Sequence, residues 1–272
     1  MLSVILPASN EESYIGACLT ALFRSTAQNV QVIVVANGCR DQTAEVAQRM
    51  IDQSLPDTWQ GLVITLSQGS KPGALNAGDA KAIYPNRVYL DADVLVSPPL
   101  LSQIDDALAA DRPIYAAARP IIPAAKSWFS RQYTRLWLKL PFNRTPATGF
   151  GLFATNALGR QRWGEFPRLI SDDTFVRLQF APDERVEVDA TYSWPMIEGF
   201  SALVRVRRRQ NVGVDQLKTL YPGIFENEGK PPIGFGGIVS LLFRDPVGFF
   251  CYAAVTFAVR SKRGGAEFTR GR

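Results

Sequence analysis

The sequence predicts an α/β protein with a mostly parallel central sheet flanked by helices. Over the first hundred residues, short apolar runs at 2–6, 31–36, 62–66 and 87–91 alternate with amphipathic stretches at 12–25, 42–53 and 73–82. That alternation is the signature of strands joined by helical crossovers. The second observation is the placement of the polar clusters. Pro7-Ala8-Ser9-Asn10, Asn37-Gly38-Cys39-Arg40-Asp41 and Asp91-Ala92-Asp93 each follow an apolar run, so all should meet at the carboxyl edge of the sheet, where open α/β sheets bind ligands.

Taken in order, the first run, Leu2-Ser3-Val4-Ile5-Leu6, ends at Pro7. Ser9 or Asn10 can N-cap the helix that follows, with Glu11 and Glu12 at its positive end, and Asp41 can cap the second helix. The run Val88-Tyr89-Leu90 delivers Asp91 and Asp93, with Ser97-Pro98-Pro99 as the breaker behind. Two carboxylates cannot stay unpaired in a dry core, so they belong at the strand's end. There a pair of hard oxygen donors suits Mg2+ or Mn2+ shared with a diphosphate, the alternative being a loop pair that caps the next helix. Beyond residue 113 the pattern changes. Residues 113–122 read as a strand and 126–140 as a helix with Arg131, Arg135 and Lys139 on one face. Residues 147–155 read as extended and Gly-rich, 172–180 as helical, 185–189 as a short strand, and the chain from 233 as an apolar helical tail.

Composition narrows the chemistry. The chain has 272 residues, of which 46% are apolar and 20% charged, enough for a large core and too apolar for disorder. It contains no histidine, which removes Ser-His-Asp and Cys-His triads and histidine-ligated metals, so a general base must be a carboxylate, lysine, tyrosine or thiol. Cys18, Cys39 and Cys251 are odd in number and far apart, and imply neither a disulfide framework nor a zinc site; reduced thiols suit a cytoplasmic location. The net charge of +5 suits a nucleotide, a phosphorylated lipid or an anionic bilayer, and it is not gathered into a nucleic-acid-binding tail. The chain opens on a strand with no signal-peptide pattern. Residues 246–259 are too few to span a bilayer, but with Arg260, Lys262 and Arg263 behind them they suit a segment lying on the inner face of the cell membrane, assisted by the basic helix at 126–140. Packing of this tail on the rest of the chain is the alternative.

Five segments carry a family resemblance. They are Val4-Ile5-Leu6-Pro7-Ala8-Ser9-Asn10-Glu11-Glu12, Val34-Val35-Ala36-Asn37-Gly38-Cys39-Arg40-Asp41, Lys71-Pro72-Gly73-Ala74-Leu75-Asn76-Ala77-Gly78, Asp91-Ala92-Asp93 and Ser171-Asp172-Asp173. In this order and spacing they resemble glycosyltransferase family 2, the inverting transferases of GT-A fold (Rossmann-like), over roughly residues 1–215. The resemblance implies a metal-dependent transfer of one sugar, a hexosyl group, from a nucleotide-diphosphate sugar to a glycan or lipid-linked hydroxyl. It implies Asp93 and Asp91 as ligands of Mn2+ or Mg2+, with Asp91 also near the donor's ribose or sugar, and Asp173 as general base with Asp172 as its alternative. Pro7, Ala8, Asn10, Glu11, Asn37, Lys71 and Arg209 fall to the donor. Gly149 and Gly151, whose lack of a side chain allows close approach, fall to the acceptor with Trp163 and Glu165. Residues 1–112 would bind the donor, 113–215 the acceptor, and 216–272 form the tail.

Two departures qualify the resemblance. Ala36 and Asn37 replace the paired acids of the family's second loop, so a base contact there must use Asn37's amide or backbone groups. Val206-Arg207-Arg208-Arg209-Gln210 keeps one arginine of the late Gln-x-x-Arg-Trp motif, which favours a single transfer over processive synthesis. The competing readings are a sugar-phosphate nucleotidyltransferase, which would want a Gly-rich phosphate loop after the first strand, and a non-catalytic nucleotide-binding scaffold.

Overall fold

The computed structural model describes residues 1–261, so Lys262 and Arg263 lie outside the described residues. Eight strands form one sheet: β1 (Leu2–Ala8), β2 (Val30–Asn37), β3 (Gln60–Leu66), β4 (Asn86–Leu90), β5 (Leu95–Val96), β6 (Tyr115–Ile121), β7 (Leu152–Thr155) and β8 (Arg185–Ser193). Their order is β3-β2-β1-β4-β7-β6-β8-β5. The helices are α1 (Glu12–Phe23), α2 (Thr43–Ser54), α3 (Lys71–Asp79), α4 (Leu100–Leu108), α5 (Trp128–Trp137), α6 (Ala157–Arg160), α7 (Asp172–Arg177), α8 (Phe200–Leu220), α9 (Phe235–Arg244) and α10 (Pro246–Ser261).

β2 shows why the first half is parallel. Its eight residues, Val-Gln-Val-Ile-Val-Val-Ala-Asn, are all buried, as a strand covered on both faces requires. β3, β2, β1 and β4 run parallel. α1 turns Ile15, Cys18, Leu19 and Leu22 inward at helical spacing, where they join the main core. Beyond β4 the sheet is mixed: β7 is antiparallel to β4 and β6, β6 and β8 are parallel, and β5 is antiparallel to β8. The strand expected at 185–189 continues to Ser193, through a register shift opposite Ala118 and Arg119. β5, α4, α6 and α8 were not anticipated from the sequence.

The chain divides into two compact units. The first comprises residues 1–121 and 147–194 and holds the whole sheet; the second comprises 122–146 and 195 onward. These boundaries do not follow the divisions at 112 and 215, which separate the chain by expected substrate rather than by packing. In the second unit Tyr133 of α5, Leu203 and Val204 of α8, and Cys251, Val255 and Val259 of α10 form a small core.

Candidate active site

The N-termini of α1 and α2 brace each other. Glu12 N–H donates to Asp41 Oδ2 at 3.1 Å, Gln42 N–H donates to Glu12 Oε2 at 3.2 Å, and Glu11 N–H donates to Thr43 Oγ1 at 2.8 Å. Each loop therefore satisfies donors at the start of the other's helix. Glu11 and Gln42 occupy the N-cap positions without capping through their own side chains, while Asp41 Oδ1 accepts from Thr43 N–H at 3.2 Å at the start of α2, as expected of it. Asn10 sits at φ 54°, and its Oδ1 accepts from Arg40 N–H at 2.7 Å, so it too ties the two loops together. Burial opposes the charge on Asp41, but hydrogen bonds from Thr43 and Glu12 hold its carboxyl below the ordinary range.

Asn37 closes the same edge. Only 3% exposed, it donates from Nδ2 to Ala8 O at 2.9 Å and to Val35 O at 3.3 Å, and accepts from Ser70 N–H at 3.0 Å. Its amide joins the ends of β1 and β2 to the start of α3 and is not presented to a ligand. Ala8 is buried as well.

Four charged groups converge beside Pro7. β4 ends at Leu90, and Asp91 N–H donates to Gly151 O at 2.8 Å, which fixes the carboxylate at the crevice. Lys71, the first residue of α3, places Nζ 2.9 Å from Asp91 Oδ1 and 3.1 Å from Asp172 Oδ2. The second contact lacks hydrogen-bond geometry. Asp173 lies beside Asp172 in the first turn of α7, with Oδ1 accepting from Thr174 N–H at 2.6 Å. Pro7, Lys71, Leu75, Asp91, Gly151, Asp172 and Asp173 line one cleft, whose free volume of about 20 Å³ is room for little more than a water. Asp93, two residues beyond Asp91, is not among the residues that line this cleft. Burial, followed by the charges of Asp93, Asp91 and Glu11, pushes the Cys18 thiol far above its ordinary range.

The electrostatics of this cluster are uneven. Burial alone would lower the pKa of Lys71, but Asp172 and then Asp91 and Asp173 hold it well above the lysine range, so the ammonium stays charged. Burial pushes Asp172 up to about 6, with Asp173 and Asp91 adding to the effect and Lys71 opposing it. One lysine faces several carboxylates, so the most deeply buried acid is the one that takes up a proton.

The glycine-rich turn is conformationally demanding. Gly149 and Gly151 have φ of 75° and 68°, and a Cβ on Gly149 would stand 1.9 Å from the Tyr115 hydroxyl. Trp163 departs from its expected role. It is 8% exposed, packs against Phe166 and Phe180, and carries the Arg160 guanidinium on its face at 4.7 Å. Its ring cannot stack on an acceptor; it supports the loop from behind. Glu165 instead lines a larger cleft of about 590 Å³ with Ser70, Gly73, Asn76 and Arg168.

Sequence reasoning gave no role to Asn76 and Asp79. Asn76 exchanges two hydrogen bonds with the Phe166 backbone, at 2.7 and 3.2 Å, while Asp79 holds Arg160, Arg87 and Tyr89. Their three-residue spacing on α3 was the available signal. Arg209 lies on α8, in the second unit; its neighbours Arg207 and Arg208 bond Thr256 and Ala258 of α10.

Among the described residues no three thiols or carboxylates are grouped to hold a metal alone. Asp91 and Asp93 nevertheless suit Mg2+ or Mn2+ that arrives with a diphosphate, because such ions take one or two carboxylates and complete their shell with phosphate oxygens.

A sheet switching from parallel to mixed, with an acidic crevice at the switch, defines the class: the fold is that of the GT-A glycosyltransferases. Residues 3–165, more than half the chain, match the model of glycosyl transferase family 2, and the chain belongs to that family. It is 27% identical over 106 residues to the uncharacterized glycosyltransferase EpsJ of Bacillus subtilis (strain 168), a match that covers 39% of this chain and 30% of that one. Its fold is similar to that of the mannosyltransferase PcManGT from Pyrobaculum calidifontis in complex with GDP-Man and Mn2+ (TM-score 0.60, 18% identity, 97% of this chain and 76% of that one). It is also similar to S. aureus TarS in complex with UDP (0.54, 11%, 100% and 95%). Glucosyl-3-phosphoglycerate synthase from Mycobacterium tuberculosis, in complex with Mn2+, UDP and glucosyl-3-phosphoglycerate, is similar too (0.56, 17%, 86% and 82%).

Proposed function

We propose that this chain moves one hexosyl group, with inversion, from a nucleotide-diphosphate sugar to a hydroxyl of a glycan or lipid-linked acceptor. The observation that carries the reading is the meeting of Asp91, Lys71, Asp172 and Asp173 in one cleft at the carboxyl edge of the sheet. The GDP-Man and Mn2+ named with one structurally similar protein, and the UDP and Mn2+ named with another, support it.

In this reading Asp173 is the general base. It accepts the acceptor's hydroxyl proton as that oxygen bonds to the anomeric carbon, while the carbon–phosphate oxygen bond breaks on the opposite face and its electron pair leaves with the nucleoside diphosphate. Asp93 and Asp91 would hold Mg2+ or Mn2+, which when bound supplies positive charge to the departing diphosphate. Lys71 keeps Asp91 and Asp172 in place and adds a fixed positive charge beside the leaving group. Gly149 and Gly151 serve the turn itself rather than a sugar, since the space beside them is taken by Tyr115 at Gly149 and by Val94 and Trp194 at Gly151, and Glu165 offers an oxygen to the acceptor. Pro7 and the braced loops at Ala8, Asn10, Glu11 and Asn37 shape the nucleoside pocket chiefly through backbone groups.

The test is a thermal-shift screen with UDP-, GDP- and dTDP-sugars, with and without Mn2+, followed by assay of nucleoside diphosphate release. Metal-dependent stabilisation by one nucleotide is expected, with release abolished in Asp173→Asn. Binding without release would favour a scaffold, and formation of a nucleotide-sugar with loss of pyrophosphate, when a nucleoside triphosphate and a sugar 1-phosphate are supplied instead, would favour a nucleotidyltransferase.

A further inference from the structure

The second unit carries an apolar face that its own core does not use. No residue of α9 is buried, although the helix reads Phe-Gly-Gly-Ile-Val-Ser-Leu-Leu-Phe-Arg. α10 turns Gly248, Cys251, Val255 and Val259 inward and leaves Val247, Phe250 and Phe257 on the other side. Four phenylalanines of these two helices are extreme: Phe235 is 83% exposed, Phe243 80%, Phe250 66% and Phe257 76%. Single exposed apolar residues need no explanation, but large aromatics clustered on two consecutive helices do.

The corner between the two helices is fixed. Asp245, which ends α9, is buried and accepts from Gly248 N–H in the first turn of α10 at 3.0 Å. Arg135 of α5 pairs with the same carboxylate, and Lys139 lies 2.9 Å from it. Phe243, Val247 and Phe250 are therefore presented by a braced turn rather than a loose tail. Hydrogen bonds from Arg135, followed by those from Lys139 and Gly248, outweigh burial and hold Asp245 well below the carboxylate range, so its negative charge is neutralised at close quarters.

The exposed charges on these two helices are positive. Arg244 and Arg260 are exposed on α9 and α10, Arg135 and Lys139 keep part of their side chains in water, and the sequence continues with Lys262-Arg263. Apolar aromatics set among cations match the boundary of an anionic bilayer, where rings enter the acyl region and arginines meet phosphate. A second copy of the chain would bring its own like charges to the contact. Among the described residues no helix is long and apolar enough to cross a membrane, so such a face would lie on a bilayer and not through it.

We propose that α9 and α10 form a docking face for an anionic phospholipid bilayer, entered by Phe235, Phe243, Phe250 and Phe257 and ringed by Arg244 and Arg260. The basic stripe of α5 acts here largely by neutralising Asp245 rather than by facing lipid. The proposal stands independently of the sugar-transfer chemistry, because its test needs no substrate.

The full chain is mixed with phosphatidylcholine vesicles that either contain or lack phosphatidylglycerol, and the bound fraction is measured by flotation. Binding should be about tenfold or more tighter to the anionic vesicles. Replacing Phe243, Phe250 and Phe257 together by serine should lower it at least about tenfold, with the thermal unfolding temperature unchanged because all three side chains already face solvent. A separate Arg244→Glu variant should lose binding to the anionic vesicles selectively. The proposal is overturned if the unaltered chain floats with neither vesicle, or if the serine variant binds as well as the parent. A concentration-dependent dimer that the same serine substitutions dissolve would assign the face to a second copy instead.

Discussion

Gly149 shows how tightly the turn beside the crevice is constrained. Its left-handed backbone and its closeness to the Tyr115 hydroxyl leave no space for a methyl group. Gly149→Ala should destabilise the chain by about 2–4 kcal/mol, whereas Gly164→Ala, with nothing within 4 Å of the added carbon, should be nearly neutral in denaturant unfolding. Adding Tyr115→Phe should recover part of the loss, because that hydroxyl has no hydrogen-bond partner to forfeit. For the chemistry, Asp173→Asn should lower nucleoside diphosphate release by about 100- to 10,000-fold without moving the unfolding temperature much, since the residue is half-buried and its backbone role persists. The placement of Asp91 could be expected from the sequence because it ends a recognisable apolar run, and that of Lys71, Asp172 and Asp173 from the ordered motifs that carry them. The burial of Asn37 and Trp163 could not. Whether a polar or aromatic side chain faces a ligand or the interior depends on distant partners such as Ser70 N–H and Phe180, which no local pattern reveals.

α3 works on two faces. Lys71 and Leu75 line the acidic cleft, while Asn76 and Asp79 grip the segment at 160–166. Asn76→Ala removes both bonds to Phe166 and should cost about 1–3 kcal/mol. If Glu165 serves the acceptor, the same variant should raise the acceptor KM more than it changes donor hydrolysis. In the second unit the corresponding clasp is Asp245. Asp245→Ala should cost about 2–4 kcal/mol in thermal unfolding, the cations being reachable by water and so cheaper to leave unpaired than buried ones. That contribution is present above the unfolded carboxylate pKa and fades as pH falls through the depressed folded one. The parallel strands and α1 to α3 were readable because hydrophobic periodicity is local. α8 was not, since Val204, Arg205, Val206 and Arg207 alternate like a strand, and contacts with α10, such as Arg207 over the Tyr252 ring, accompany its helical form.

For the whole molecule, the absence of histidine has a thermodynamic consequence. Few side chains are left to change charge near neutral pH, so the raised carboxyl of Asp172 stands out. Its folded pKa lies above the unfolded value, so the folded state holds more protons between about pH 4 and 6, and this group's contribution to stability rises as pH falls across that window. Relative to Asp172→Asn, the unaltered chain should gain on the order of 3 kcal/mol on going from pH 7 to pH 4, measured by denaturant unfolding without divalent metal. An unchanged difference would remove the buried acid from the account. At this scale the order of motifs along the chain was legible, but the entry of β7 between β4 and β6, and the division into discontinuous units, were not, because both depend on pairings between residues far apart in sequence. That interleaving also bears on how the chain tolerates cutting. A protease nick within 122–146 would separate β6 from β7 and β8 covalently, yet those strands remain zipped to β4 and β6 by backbone ladders. The two fragments should elute as one species until denaturant parts them.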